Sequence, residues 1–221
     1  MLNLSKPILY LITRGATDET TTTESAEFHQ LLGQFSAAIT AGIQLIQIRE
    51  KRLTSRVLFE LTSRAAIITQ GTATRVLVND RADIAAGAGA DGVHLTTQSL
   101  EAAVVRQAFG ERILIGSSTH SVGEARRARD AGADFIVFGP VFESPSKREY
   151  GPPVGLQALS NVVGEVAPFP VIALGGITTD NAVQCLCAGA SGIAGISLFG
   201  EPESLAIVAT VIKQSVKGVA S

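Results

Sequence analysis

"DAGADFIVFGP", Asp130 to Pro140, joins a helix end, an Ala-Gly pair and a continuous apolar run. The segment before it, "SVGEARRARDAGA", has the polar and apolar spacing of an amphipathic helix. Gly132 suits the left-handed turn that stops such a helix, and the run that follows reads as a strand buried on both faces. The same form returns as "TAGIQLIQIRE" (40–50), "AGADGVHL" (88–95) and "CAGASGIAGIS" (187–197). Copies beginning near Ala41, Ala88, Ala131 and Ala188 lie roughly 45 to 55 residues apart, too far for one strand–helix unit and right for two.

Four further strands are expected between the copies, at Ile8 to Thr13, Arg75 to Asp80, Ile113 to Ser118 and Pro170 to Leu174. Amphipathic stretches such as "SRVLFELTSRAAIITQ" separate them. Eight strands alternating with eight helices predict an α/β chain folded as a single (β/α)8 TIM barrel over residues 1–221. A doubly wound open sheet would carry a glycine-rich phosphate turn after its first strand. Here that turn reads "ITRGATDETTTTES", with one glycine.

With 46% apolar residues the 221-residue chain can build a large core, and a net charge of -2 gives no general attraction to nucleic acid or to an anionic membrane. No tryptophan and 5% aromatic residues argue against a base-stacking surface. No apolar stretch reaches the ~18 residues of a membrane span, and the N-terminus lacks the pattern of a signal peptide. The two cysteines, Cys185 and Cys187, stand two apart in a helical segment, so they are expected as packing thiols on different sides. The expected setting is cytoplasmic, and a homo-oligomer is compatible with the sequence.

A barrel of this kind works at the C-terminal ends of its strands, and the residues there are polar. Gln47, Arg49 and Lys51 alternate along an extended segment, which predicts a shared direction and an anion clamp; the competing reading pairs these charges with Glu50. Asp80, after Asn79, is a carboxylate placed to hold a hard cation such as Mg2+, unless Arg81 neutralises it. His94 and His120 at strand ends are candidates for acid–base work, whereas His29 reads as surface or packing. The long loop "ESPSKREYGPP" offers Lys147 with the hydroxyls of Ser144 and Ser146, as a clamp or lid. Gly175 and Gly176 in "ALGGIT", with a helix expected to start after Thr178, and Ile196 and Ser197 in "GISLFG" predict a phosphate site; alternatively Ser197 only caps a helix. Two anion clamps on one rim point to a small-molecule enzyme acting on phosphorylated substrates.

Taken together, "IQIREK", "LVNDR", "ADGVHL", "GSSTHS", "ADFIVFGPVFESPSK", "IALGGIT" and "GISLF" resemble the thiamine-phosphate synthase family and its TenI-type relatives, in order over nearly the whole chain. The resemblance implies condensation of a hydroxymethylpyrimidine diphosphate with a thiazole phosphate, releasing pyrophosphate with Mg2+. It implies that Gln47, Arg49 and Lys51 bind the leaving diphosphate, that Asn79 lies near the pyrimidine diphosphate, and that Asp80 takes the metal. Ser118 and Lys147 would contact the diphosphate or pyrimidine, and Gly176, Ile196 and Ser197 would hold the thiazole phosphate. One segment departs from the pattern. Synthases carry a second metal-binding Asp after strand four, and here that place is Ser99, with Glu101 two residues on. TenI-type relatives lack the acidic ligands and tautomerise a thiazole carboxylate phosphate without metal; for them His120 would be the acid–base group. A phosphate-binding regulator without catalysis is the third expectation.

Overall fold

The computed structural model describes residues 4–143 and 153–217. Eight parallel strands, β1 (Ile8–Ile12), β2 (Leu45–Ile48), β3 (Arg75–Asn79), β4 (Gly92–Leu95), β5 (Leu114–Thr119), β6 (Phe135–Phe138), β7 (Val171–Leu174) and β8 (Gly192–Gly195), pair in sequence order. The sheet closes where β8 pairs with β1 in the register Tyr10 to Ala194. Helices α1 (Ala26–Thr40), α2 (Ser55–Thr69), α3 (Ala82–Gly87), α4 (Ala102–Phe109), α5 (Val122–Asp130), α6 (Gly155–Val166), α7 (Ala182–Cys187) and α8 (Leu205–Lys217) follow the strands in turn, as a (β/α)8 barrel requires. The repeated Ala-Gly turns have the predicted geometry: Gly42, Gly89, Gly132 and Gly189 all take positive φ, between 69° and 95°.

Strand alternation sorts the apolar residues into two cores. Leu9, Leu11, Ile46, Val76, Val93 and Ile193 face the helices, where Phe28, Phe35 and Leu61 pack on them. Ile8, Tyr10, Leu45, Leu77, Phe135, Val137, Ile172 and Ala194 fill the barrel interior. The two ring systems Tyr10 and Phe135 meet edge to face at 5.7 Å, an arrangement that adds to their buried area. A Cβ on Gly116 would stand 2.5 Å from the Phe135 ring and 2.8 Å from His94 Nδ1, so the missing side chain on β5 is what admits both rings. Cys185 is buried, with its thiol pushed up to about 12 by burial, and Cys187 is exposed. His29 is exposed on α1, edge-on to Phe28. Among the described residues, no helix is long and apolar enough to cross a membrane.

Candidate active site

Polar side chains replace aliphatic ones as the interior nears the C-terminal rim. Gln47 Nε2 donates to the Tyr10 hydroxyl at 3.0 Å, that hydroxyl meets His94 Nδ1 at 3.3 Å, and His94 Nε2 meets Ser118 Oγ at 2.9 Å. Gln47, Tyr10 and His94 are buried, and Ser118 is half-buried at the upper end of this chain. Burial pushes the Tyr10 hydroxyl well above the ordinary tyrosine range, so it remains a proton donor. Burial also draws His94 down to about 4, because an imidazolium in the barrel interior would lose its hydration; the Asp80 carboxylate opposes that effect and Arg49 adds to it. His94 is therefore neutral at pH 7.

Between β3 and β4, Asp80 occupies a left-handed conformation, φ 59°, uncommon for any residue but glycine. Its backbone N–H is held by the His94 carbonyl at 2.9 Å, and its carboxylate faces the β4–α4 loop. Asn79 Nδ2 donates to Oδ2 at 2.7 Å, while the hydroxyls of Thr96 and Ser99 donate to Oδ1. Arg81 does not neutralise it. That guanidinium is taken by Asp83 at 2.6 Å and by Ser55. Asp80 is thus an exposed carboxylate that accepts from an amide and two hydroxyls, and among the described residues no cluster of three His, Cys, Asp or Glu side chains forms.

The expected common direction of Gln47, Arg49 and Lys51 is not what the fold builds. Strand β2 ends at Ile48, Gln47 points down into the barrel at 1% exposure, and Lys51 is exposed in the turn beyond. The reason is Glu50. Its carboxylate, 2% exposed, accepts from Gly15 N at 3.0 Å, Thr17 N at 3.2 Å and Thr17 Oγ1 at 2.6 Å, so the segment bends to anchor the β1–α1 loop and the alternation stops. Glu50 is not the partner of the bases either. Arg49, half-buried, has its N–H on Thr13 Oγ1 and its guanidinium beside Gly15. Lys51 lines a cavity of about 300 Å³ with Asn79, Asp80 and Arg81. Asn79 Oδ1 is buried there without a partner among the described residues.

Across the barrel, Gly175 and Gly176 both take positive φ. A Cβ on Gly176 would stand 2.4 Å from the Glu143 carbonyl and 2.7 Å from that of Phe142, so only glycine lets the two loops touch. Regular helix begins at Ala182, after a turn that starts at Thr178, where Ala182 N donates to the Thr178 carbonyl at 3.0 Å and Asn181 Oδ1 accepts from Thr178 N at 2.8 Å. Ile196 and Ser197 lie in the loop leaving β8, and Ser197 caps no helix: its carbonyl closes a turn to Gly200. His120 is exposed at the rim. Its backbone N–H goes to Glu124 at 2.6 Å and its Nδ1 donates to the Gly139 carbonyl, which leaves Nε2 without a partner among the described residues. Ser144, Ser146 and Lys147 lie outside the described residues.

The family model for thiamine monophosphate synthase matches residues 9–199. The chain belongs to that family. A Geobacter sulfurreducens protein provisionally named a thiamine-phosphate synthase is 45% identical over 174 residues, 78% of this chain and 81% of its own length. The thiamine-phosphate synthase of Roseiflexus castenholzii is 34% identical over 201 residues, covering 90% and 88%. Among solved structures, the thiamine phosphate pyrophosphorylase of Pyrococcus furiosus superposes with a TM-score of 0.80 at 29% identity, over 97% of each chain.

Within this synthase-family barrel, one residue of the site escapes the sequence reading, while Thr96, one of the hydroxyls after β4, joins Asp80 and Ser99. Tyr10 hides in "ILYLI", a run that passes for plain core. A signal was present, since a tyrosine in a doubly buried strand needs a partner for its hydroxyl.

Proposed function

We propose that this barrel is a thiamine-phosphate synthase working in the cytoplasm, joining a hydroxymethylpyrimidine diphosphate to a thiazole phosphate. The observation that carries the proposal is the cavity in which Lys51, Arg81, Asn79 and Asp80 meet, with Arg49 close enough to His94 to act on it. Cations and a carboxylate of this kind serve a diphosphate with its metal, and metal-free tautomerisation has no use for them. The donor set fits Mg2+: Asp80 with its exposed carboxylate would hold it, the remaining ligands being substrate phosphate oxygens and water. When bound, the ion supplies positive charge to the diphosphate oxygens.

The chain's own groups do the rest. The bond between the pyrimidine methylene carbon and the diphosphate oxygen breaks, with its electron pair leaving on the diphosphate. Arg49, Lys51, the Ser118 hydroxyl and the loop residue Lys147 stabilise that developing charge. The aminopyrimidine carries the cation, and the thiazole nitrogen donates the pair for the new C–N bond. Gly176, Ile196 and Ser197 hold the thiazole phosphate. No protein nucleophile takes part. Mixing both substrates with Mg2+ is expected to release pyrophosphate in step with thiamine phosphate, and no release at high enzyme concentration refutes the reading.

A second reading, thiazole tautomerisation, draws support from Ser99 in place of a carboxylate and from the outward Nε2 of His120. It requires isomerisation without added metal and its loss in His120→Ala.

A further inference from the structure

We propose that Tyr10 is a positioning residue for the condensation, acting through His94 to keep the Ser118 hydroxyl turned outward as a hydrogen-bond donor. The inference rests on the synthase reading for its chemistry and on the hydrogen-bond chain for its direction. An amide nitrogen can only donate, so the contact from Gln47 Nε2 occupies a lone pair of the Tyr10 oxygen. The Tyr10 proton must then go to its other partner, His94 Nδ1, 3.3 Å away. With Nδ1 accepting, the neutral ring carries its proton on Nε2 and donates it to Ser118 Oγ at 2.9 Å. Ser118 is left with one free proton and, among the described residues, no hydrogen-bond acceptor for it, so that proton is available to whatever occupies the rim.

The opposite direction would ruin the site. Were Nδ1 protonated, Nε2 would accept from Ser118, and the serine would meet the leaving diphosphate with lone pairs alone. The start of the chain resists that reversal, because the Tyr10 oxygen already accepts from Gln47 Nε2 and directs its own proton at Nδ1, while packing holds the imidazole in place. Tyr10, Phe135 and His94 are mutually tilted rings in contact, at 5.9 Å for Tyr10 with His94 and 6.4 Å for His94 with Phe135. Gly116 leaves the imidazole no slack, since even a methyl group there would collide with Nδ1. A buried donor chain that needs no reorganisation when charge develops is an effective form of electrostatic stabilisation.

Two measurements test this. In histidine-15N-labelled protein, His94 is expected to show a protonated Nε2 and a bare Nδ1, and in Tyr10→Phe that preference should weaken. A protonated Nδ1 in the unaltered protein overturns the proposal. The second is a double-mutant cycle on kcat for pyrophosphate release. Ser118→Ala should lower kcat on the order of a hundredfold and Tyr10→Phe about tenfold, with the KM for thiazole phosphate unchanged in both. Tyr10→Phe should cost nothing more once Ser118 is alanine. Multiplying losses would make Tyr10 merely structural and overturn the proposal. Absence of any pyrophosphate release from the unaltered protein refutes the synthase reading and with it the role in condensation, whereas the nitrogen shifts independently decide the direction of the chain.

Discussion

The hydroxyl of Ser99 donates to Oδ1 of Asp80, bridging the ends of β3 and β4 at the point where a synthase pattern places a second carboxylate. The same Ser99 oxygen accepts from Thr96 N at 2.6 Å and lies 2.9 Å from the Thr96 hydroxyl. Position 99 is therefore beside the carboxylate proposed to hold Mg2+, although its residue brings no charge. Hydroxyl donors here relieve the Asp80 carboxylate in the absence of a cation, where two carboxylates would repel.

Ser99→Asp should reverse this balance. Without metal the variant is expected to lose on the order of 1 kcal/mol through like-charge repulsion and the broken turn to Thr96. With MgCl2 its thermal midpoint should rise by several degrees, while that of the unaltered protein moves less. The Mg2+ concentration for half-maximal pyrophosphate release should fall severalfold. Equal responses to Mg2+ in the two proteins would show that position 99 does not reach the ion.

Gly176→Ala tests the contact between the β6 and β7 loops. The added methyl meets two backbone carbonyls that cannot rotate aside, and φ 62° disfavours any side chain. A loss of about 1–3 kcal/mol in chemical denaturation is expected. If the same loop holds the thiazole phosphate as proposed, KM for that substrate should rise while KM for the pyrimidine diphosphate stays close to its original value.

The pH dependence of stability should carry the signature of His94. Its folded pKa, about 4, lies below the ordinary value of 6.5, so between these limits the unfolded chain binds the extra proton. Stability from this group is complete above pH 6.5, declines as pH falls toward 4, and is fully lost below that. The size is about 3 kcal/mol, since each tenfold change in proton affinity is worth ~1.4 kcal/mol. Denaturation curves of the unaltered protein and His94→Gln should converge as the solution is acidified through this window, and parallel curves would contradict the assignment.

The barrel is legible in the sequence because its strands are short apolar runs set off by Ala-Gly turns, and a parallel sheet covered on both faces leaves that mark. The inward set is harder to read. In a four-residue strand such as Leu45–Ile48, parity assigns alternate residues to opposite faces without saying which face is the interior, so Gln47 passes for a rim residue. Lys51 falls into the same row because nothing local shows β2 ending at Ile48; the cause is the bonding of Glu50 to Gly15 and Thr17, 33 to 35 residues earlier. The start of α7 at Ala182 follows a turn from Thr178 joined by the Asn181 side chain, which sequence spacing alone does not reveal. The Asp80–Ser99 relation is partly visible, since the departure at position 99 can be read by resemblance, but not the hydroxyl contact that fills it.

Glu50→Gln tests whether that long-range anchor governs the clamp. The buried carboxylate accepts three hydrogen bonds from the β1–α1 loop, and an amide can satisfy at most the ones its single oxygen reaches. Its NH2 group would confront the Thr17 N–H or the Gly15 N–H, leaving a buried donor without an acceptor at a cost of about 1–3 kcal/mol. Hydrogen exchange should accelerate at Gly15 and Thr17 and stay unchanged in β4 to β6. The backbone N–H of Arg49 is held separately by Thr13 Oγ1 at 2.8 Å, so the strand itself keeps its place. Loosening the loop beside the Arg49 guanidinium should then raise KM for the pyrimidine diphosphate severalfold with a smaller effect on the thiazole phosphate. Unaltered exchange at Gly15 and Thr17 would show that the loop is held by its own contacts and that Glu50 has another task.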